Sequence, residues 1–256
     1  MKRIAKILIA ILALQFQSLA TNNTNIAQTL LDSANAAYAK KQYNIAEQFY
    51  KKILELGYKS PEIYYNLGNT YFKQNQITNA IYYYEKALRL APDDKDIKYN
   101  LELVNQYITD KIKPVPEFFL TKIVHKIADL FSSNKWALIS IISFAIFVAF
   151  MLIFLFTKML FLKKISFYLA LLGIIVSITS LFFSKLQYNR YEISNKAIVF
   201  APTLTLKSSP DKEGTDLMII HEGLKVEITD SLSNWYELKL PDGNKGWTEK
   251  QNVKKI

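Results

Sequence analysis

Two apolar runs in the middle of the chain, Trp136 to Phe156 and Ile165 to Phe183, place the strongest limit on what this sequence can fold into. Each approaches the roughly 20 residues that an α-helix needs to cross a hydrocarbon core, and neither carries a charge. The connector, Thr157 to Lys164, holds Lys158, Lys163 and Lys164 and no acid, so the preference of basic loops for the inner face places it in the cytoplasm. The expectation is a transmembrane hairpin, 136–156 and 165–183, whose two flanking segments share the opposite face. Its polar residues are Ser and Thr, which bond back to their own helix in apolar surroundings, and no buried charge marks a conduction path.

The N-terminus agrees with that topology. Lys2, Arg3 and Lys6 precede the apolar stretch Ile7 to Phe16, followed by Ser18, Leu19 and Ala20. This is the pattern of an export signal over residues 1–20, with small residues at the cleavage positions and an apolar run too short to span alone. Uncleaved, the same stretch is an N-terminal anchor. In both cases the next segment leaves the cytoplasm, and both soluble parts are expected to be extracytoplasmic.

The formal charge of +10 is spread over helices and loops, without the dense basic stripe that nucleic-acid binding requires, so no nucleic-acid partner is expected. Cysteine is absent, which excludes disulfides, thiol catalysis and a lipid-modified N-terminal Cys.

Before the membrane segment the sequence repeats itself at a period of 34 residues. The second copy runs PEIYYNLGNTYFKQNQITNAIYYYEKALRLAPDD from Pro61. It puts Tyr64, Leu67, Gly68 and Tyr71 on a first helix and Ala80, Tyr84 and Ala87 on a second, with Pro92 closing it. Gly68 and Ala80 are small where the paired helices approach closely, and the flanking Tyr and Leu side chains fill the surrounding space. The first copy is weaker, with Ala34, Ala37, Tyr38, Ala46 and Tyr50 in register. The pattern resembles a tetratricopeptide repeat with an edited N-terminal unit.

An array of this kind needs a cap, and Asp93 to Ile112 is expected to supply it, with Ile97, Leu101, Val104 and Ile108 at helical spacing and Asp93 or Asp94 at its start. The repeat domain with its cap is read as 27–112. The resemblance implies a concave groove that holds a partner peptide, lined by Tyr65, Asn66, Asn69, Phe72 and Lys73 and, on the cap, by Tyr99, Asn100 and Leu103. Asn amides satisfy an extended backbone while aromatic rings cover side chains; the alternative is that these rings only pack the array.

Residues 113–135 form a proline linker, Lys113 to Pro116, and an amphipathic helix with Phe119, Ile123, Ile127 and Leu130 opposite Lys122, His125, Lys126 and Asp129. That helix lies in the lipid interface or packs on the repeat, and the nearby Trp136 favours the interface.

From Lys196 to Ile256 short alternating runs separated by turn residues predict five or six strands and a small all-β barrel. The sequence around His221, Glu222 and Gly223, then Trp235, Tyr236 and Leu238, then Asp242, Gly243, Gly246 and Trp247 resembles a bacterial SH3-type domain, whose members bind peptides or cell-wall fragments. Trp235, Tyr236 and Trp247 are the candidate ligand face, with Tyr236 on the alternate side of its strand; the competing and favoured assignment buries both tryptophans in the barrel core.

Catalysis lacks parts. His125 and His221 have no partner at metal-ligand spacing, and no phosphate-cradling glycine loop or nucleophile motif is present. No enzymatic activity, cofactor or metal is expected. The order of segments, the run DKIKPVPEFF from Asp110 to Phe119 and the run SSNKWA from Ser132 to Ala137 resemble the BatE family of bacterial aerotolerance operons. The resemblance implies a scaffold in the bacterial cytoplasmic membrane beside von Willebrand-type A domain proteins, linked to oxygen tolerance by association. A cell-wall sensor that binds peptidoglycan through its β domain is the competing reading.

Overall fold

The computed structural model describes residues 25–116, 118–192 and 195–256; the export signal expected over residues 1–20 lies outside them. Among the described residues the chain divides into two compact units, one ending at Ala87 and taking in Tyr99–Ile108, the other comprising Leu88–Lys98 and Thr109–Ile256.

The first unit is helical. Helix α1 spans residues 25–39, and α2 (Tyr43–Glu55), α3 (Pro61–Lys73), α4 (Ile77–Leu90) and α5 (Lys95–Val104) follow, with a single 3-10 turn at Asn105–Tyr107. Lys41 and Asn75, 34 residues apart, both sit at φ 60 in the turns between paired helices. Ser60 starts α3 by accepting a hydrogen bond from the Ile63 amide at 3.2 Å, with Pro61 at the first helical position. Asp94 caps α5, its Oδ1 accepting from the amides of Asp96 and Ile97. Ala34, Ala46, Leu67, Ala80 and Ala87 are fully buried between the helices. A Cβ added at Gly68 would stand 2.6 Å from Cδ1 of Tyr84, so glycine is what lets α3 and α4 approach.

Helix α5 is the first helix of a third copy. Its buried Ile97, Leu101 and Val104 repeat Ile63, Leu67 and Thr70. The positions that would face a further partner helix are different: Tyr64, Gly68 and Tyr71 of α3 become Lys98, Glu102 and Asn105. Polar groups at those positions end the array by making its last surface soluble. The expected cap is also shorter than Asp93 to Ile112. Ile108 is extended, and Ile112 packs instead against the β core. Beyond Ile108 the chain bonds to the sheet: the Asp110 carboxylate accepts from the amide of His221 and lies 2.9 Å from its Nδ1, and the Val115 amide donates to Pro241 O at 3.0 Å.

In the second unit, α6 (Phe119–Ala128) leads into α7 (Ser133–Phe156) and α8 (Leu160–Gln187), two helices long and apolar enough to cross a membrane. The connector is only residues 157–159; Lys163 and Lys164, expected in the loop, lie in the first turns of α8. The serines behave differently from the expectation that they bond within their own helix. Ser140 Oγ donates to Ser177 O at 2.9 Å and Ser177 Oγ donates back to Ser140 O at 3.0 Å; Ser133 and Ser184 form a second reciprocal pair. A Cβ on Gly173 would meet Phe147 N and Ser143 O at 3.2 Å. Small residues bring the two backbones close enough for hydroxyls to reach across. Thr179 bonds within its own helix, as expected.

The C-terminal part is one antiparallel sheet of seven strands: β1 (Lys196–Val199), β2 (Thr203–Lys207), β3 (Asp216–His221), β4 (Lys225–Leu232), β5 (Trp235–Lys239), β6 (Lys245–Glu249) and β7 (Val253–Lys255), in the order β3-β2-β6-β5-β4-β1-β7. Its buried face holds Ala197, Val199, Leu206, Ile220, Val226 and Leu238 among others. The strand beyond the expected six is β7, whose Val253 is buried while Lys254 and Lys255 are exposed; it pairs with β1.

Candidate partner-binding surfaces

In the helical unit, an amide and tyrosine network repeats with the sequence. Tyr50 OH donates to Asn35 Oδ1 at 2.6 Å, and 34 residues on Tyr84 OH donates to Asn69 Oδ1 at 2.6 Å. The Nδ2 of Asn66 reaches Asn35 Oδ1 at 3.4 Å, and its equivalent in α5, Asn100 Nδ2, reaches Asn69 Oδ1 at 3.0 Å and Tyr65 OH at 2.8 Å. Each first helix is thereby tied both to its own second helix and to the next copy. Burial, with smaller contributions from Tyr38 and Glu62, pushes the Tyr50 hydroxyl up to about 12; burial and then Tyr65 push Tyr84 upward too. Both hydroxyls therefore stay protonated and act as donors.

The expected groove residues separate into two kinds. Asn69 is occupied as a double acceptor inside the network, and the Tyr65 hydroxyl receives Asn100 while its ring lies 5.8 Å from that of Tyr84. These two hold the array together. Asn66 and Asn100 each keep a side-chain oxygen with no partner among the described residues. Tyr99 is 68 % exposed and Lys73 is exposed, whereas Leu103 is half-buried. Phe72 meets Tyr107 edge-on at 5.8 Å, and Tyr107 is itself largely exposed. Sequence reasoning missed Asn35 and Tyr107. Asn35 had a signal, its 34-residue offset from Asn69; Tyr107 had none, because it lies in a 3-10 turn beyond the helical pattern.

On the sheet, pairing fixes which face each aromatic side chain takes. Trp235 is opposite Glu249 and Glu237 is opposite Trp247 across β5 and β6, so the two tryptophans are diagonal neighbours on one face, the distance at which large side chains share a surface. Tyr236 points to the other face, against the core, with Lys250 Nζ 4.9 Å and Lys255 Nζ 5.0 Å from its ring. The expectation that both tryptophans fill the core is overturned: aliphatic residues fill it, and Trp235 and Trp247 are only partly covered. Between them Glu237 accepts from Lys245 Nζ at 2.7 Å and from Thr229. These hydrogen bonds, Lys245's first, hold its carboxyl below the usual range.

The repeat geometry and the sequence meet here. Residues 61–94 match the tetratricopeptide repeat family. The match covers α3, α4 and the turn that opens α5, and it supports a role in protein–protein interaction. No curated protein matches the chain.

Proposed function

We propose that this chain is a membrane-anchored scaffold, without enzymatic activity of its own, that holds a protein partner against its helical array. The observation that carries this reading is the pair of unpartnered oxygens on Asn66 and Asn100, repeated on adjacent first helices and flanked by exposed Tyr99 and Lys73. Two such acceptors suit the amides of an extended peptide, and the tyrosine covers a side chain between them. Anchoring by α7 and α8 keeps the array and the sheet at one membrane, so two modest contacts act at high effective concentration. The three lysines near the hairpin turn favour a cytoplasmic turn and extracytoplasmic soluble parts. The segment order fits a BatE-like protein with an SH3-type β domain, which makes von Willebrand-type A domain membrane proteins the first partners to test. Recovery of such a partner with the solubilised full chain is expected to fall when Asn66 and the exposed Lys73 are both changed to Ala, with helix content unchanged; undiminished recovery refutes the groove.

A second reading follows from the outward Trp235 and Trp247. Two indoles beside a carboxylate form a surface for sugar rings, which favours peptidoglycan as a ligand of the β domain. The Trp235→Ala/Trp247→Ala double variant is expected to lose co-sedimentation with purified wall material; wild-type chain that fails to sediment with it removes the wall-sensor reading.

A further inference from the structure

The apolar stripe of α6 faces away from the rest of its unit. Successive residues on a helix are rotated by about 100°, which places Phe119, Ile123, Ile127 and Leu120 on one continuous arc. All four are exposed, Phe119 at 69 % and Leu120 at 59 %. The opposite arc, with Val124 half-buried and Ala128 fully buried, is the one that packs toward α8. Lys122 and Lys126 flank the exposed apolar arc along one edge and form no ion pair among the described residues.

The end of α6 is fixed to the hairpin. Ala128 O accepts from Trp136 Nε1 at 2.9 Å and from Gln187 Nε2 at 2.6 Å; Gln187 Nε2 also reaches Asp129 Oδ1 and Phe131 O, and Arg190 pairs with Asp129 at 3.0 Å. Trp136 belongs to the first turn of α7 and Gln187 to the last of α8, so these bonds hold α6 at the end of the hairpin where both apolar helices terminate. Phe131 meets the Trp136 ring edge-on at 5.1 Å, and Phe183 stacks with it at 5.0 Å. The exposed stripe of α6 is thereby held at the end of the hairpin where α7 begins and α8 ends.

From this geometry we infer that α6 is an interfacial helix whose Phe119, Leu120, Ile123 and Ile127 lie in the phospholipid boundary, with Lys122 and Lys126 on lipid phosphates. An apolar arc next to basic residues is the arrangement that binds the plane of an anionic bilayer. The bonds to Ala128 O act as a clasp that sets the depth of α6 relative to the spans. The inference rests on the hairpin being membrane-spanning, and its test separates the two.

The chain has no cysteine, so a single label can be placed on the full-length protein by Leu120→Cys, Ile123→Cys, Thr121→Cys or Ile141→Cys. Each is reconstituted into phosphatidylethanolamine and phosphatidylglycerol vesicles, carries a fluorophore, and is challenged with lipids bearing a nitroxide close to the headgroup or deep in the acyl chain. Expected is loss of most emission at 120 and 123 to the shallow quencher, little loss at Thr121, and loss at Ile141, on the outward side of α7, to the deep one. Changing Lys122 and Lys126 to Gln is expected to reduce the quenching at 123. Quenching at 141 with none at 120 and 123 overturns the interfacial helix, whether the stripe then meets water or protein. No quenching at 141 refutes the spanning hairpin and the inference with it.

Discussion

Replacing Asn69 by Ala tests whether the amide network holds the array or merely decorates it. Tyr84 is 1 % exposed, and its hydroxyl bonds to Asn69 Oδ1 at 2.6 Å. Removing that acceptor leaves the hydroxyl of a buried tyrosine with no acceptor for its proton, which costs about 1–3 kcal/mol. Asn100 loses its 3.0 Å bond to the same oxygen but retains Tyr65 at 2.8 Å, so its share is small. Amide exchange in peptides from α3 and α4 of the solubilised full chain reads the local cost, and every 1.4 kcal/mol is tenfold, giving an acceleration of about 5- to 150-fold. Asn66→Ala removes a longer bond, 3.4 Å to Asn35, and takes no acceptor from a buried hydroxyl, so it is expected to change exchange much less. The Asn69→Ala/Tyr84→Phe double variant removes both members of the pair and is expected to exchange more slowly than Asn69→Ala alone. Unchanged exchange in Asn69→Ala, or a double variant worse than the single, refutes the structural role of Asn69.

Three further outcomes follow from the same packing. Glu47 lies between α2 and α3; burial raises its carboxyl pKa, but hydrogen bonds from Lys51, Gln74 and Tyr71 outweigh it and leave the value lowered. A depressed folded pKa means that its stabilisation is present above the ordinary glutamate range and is lost as pH falls through the folded value, so exchange in α2 is expected to quicken on acidification in wild type and to respond less in Glu47→Gln. A Cβ at Gly246 would sit 2.7 Å from Leu206 Cβ, which cannot swing away as a side-chain tip does, and Gly246→Ala is expected to destabilise the sheet by about 1–3 kcal/mol in denaturant titrations followed by tryptophan emission. Asp110→Ala removes the acceptor that holds residues 109–115 on the sheet at His221; a bond to a charged group contributes about 1.5–3 kcal/mol, so tryptic cleavage after Lys111 is expected to quicken by about tenfold to a hundredfold.

What was legible in the sequence was what repeats or alternates. The 34-residue period located α3 and α4 because Gly68, Ala80 and Tyr84 must recur where helices touch, and the uncharged runs located α7 and α8 because apolar segments that long read as continuous helices. Hydrophobic spacing failed at Ile108 and Ile112, where it continues the pattern of α5 although the backbone has already turned to the sheet; nothing local to residues 105–112 records the distant acceptor role of Asp110. The short β7 was invisible because Lys254 and Lys255 read as a polar tail, and only its pairing with β1 makes it a strand. The tryptophans were assigned to the core by size, whereas register across β5 and β6 decides the face and is not written in either strand alone. In the groove, residue types indicated amide chemistry, but which amide oxygen is free depends on contacts 31 and 35 residues away in sequence.

The central claim is that the array presents Tyr99 and the Asn66 and Asn100 oxygens to a protein partner. The most direct test places a photoreactive amino acid at position 99 of the full chain in its native membrane, with a second at Asn44 outside the groove, and identifies what each captures by mass spectrometry. The account predicts one discrete membrane protein captured from position 99, lost when Asn66 and Lys73 are changed to Ala, and not captured from position 44. Equal capture of that protein from both positions, or capture from 99 that survives the double substitution, contradicts it.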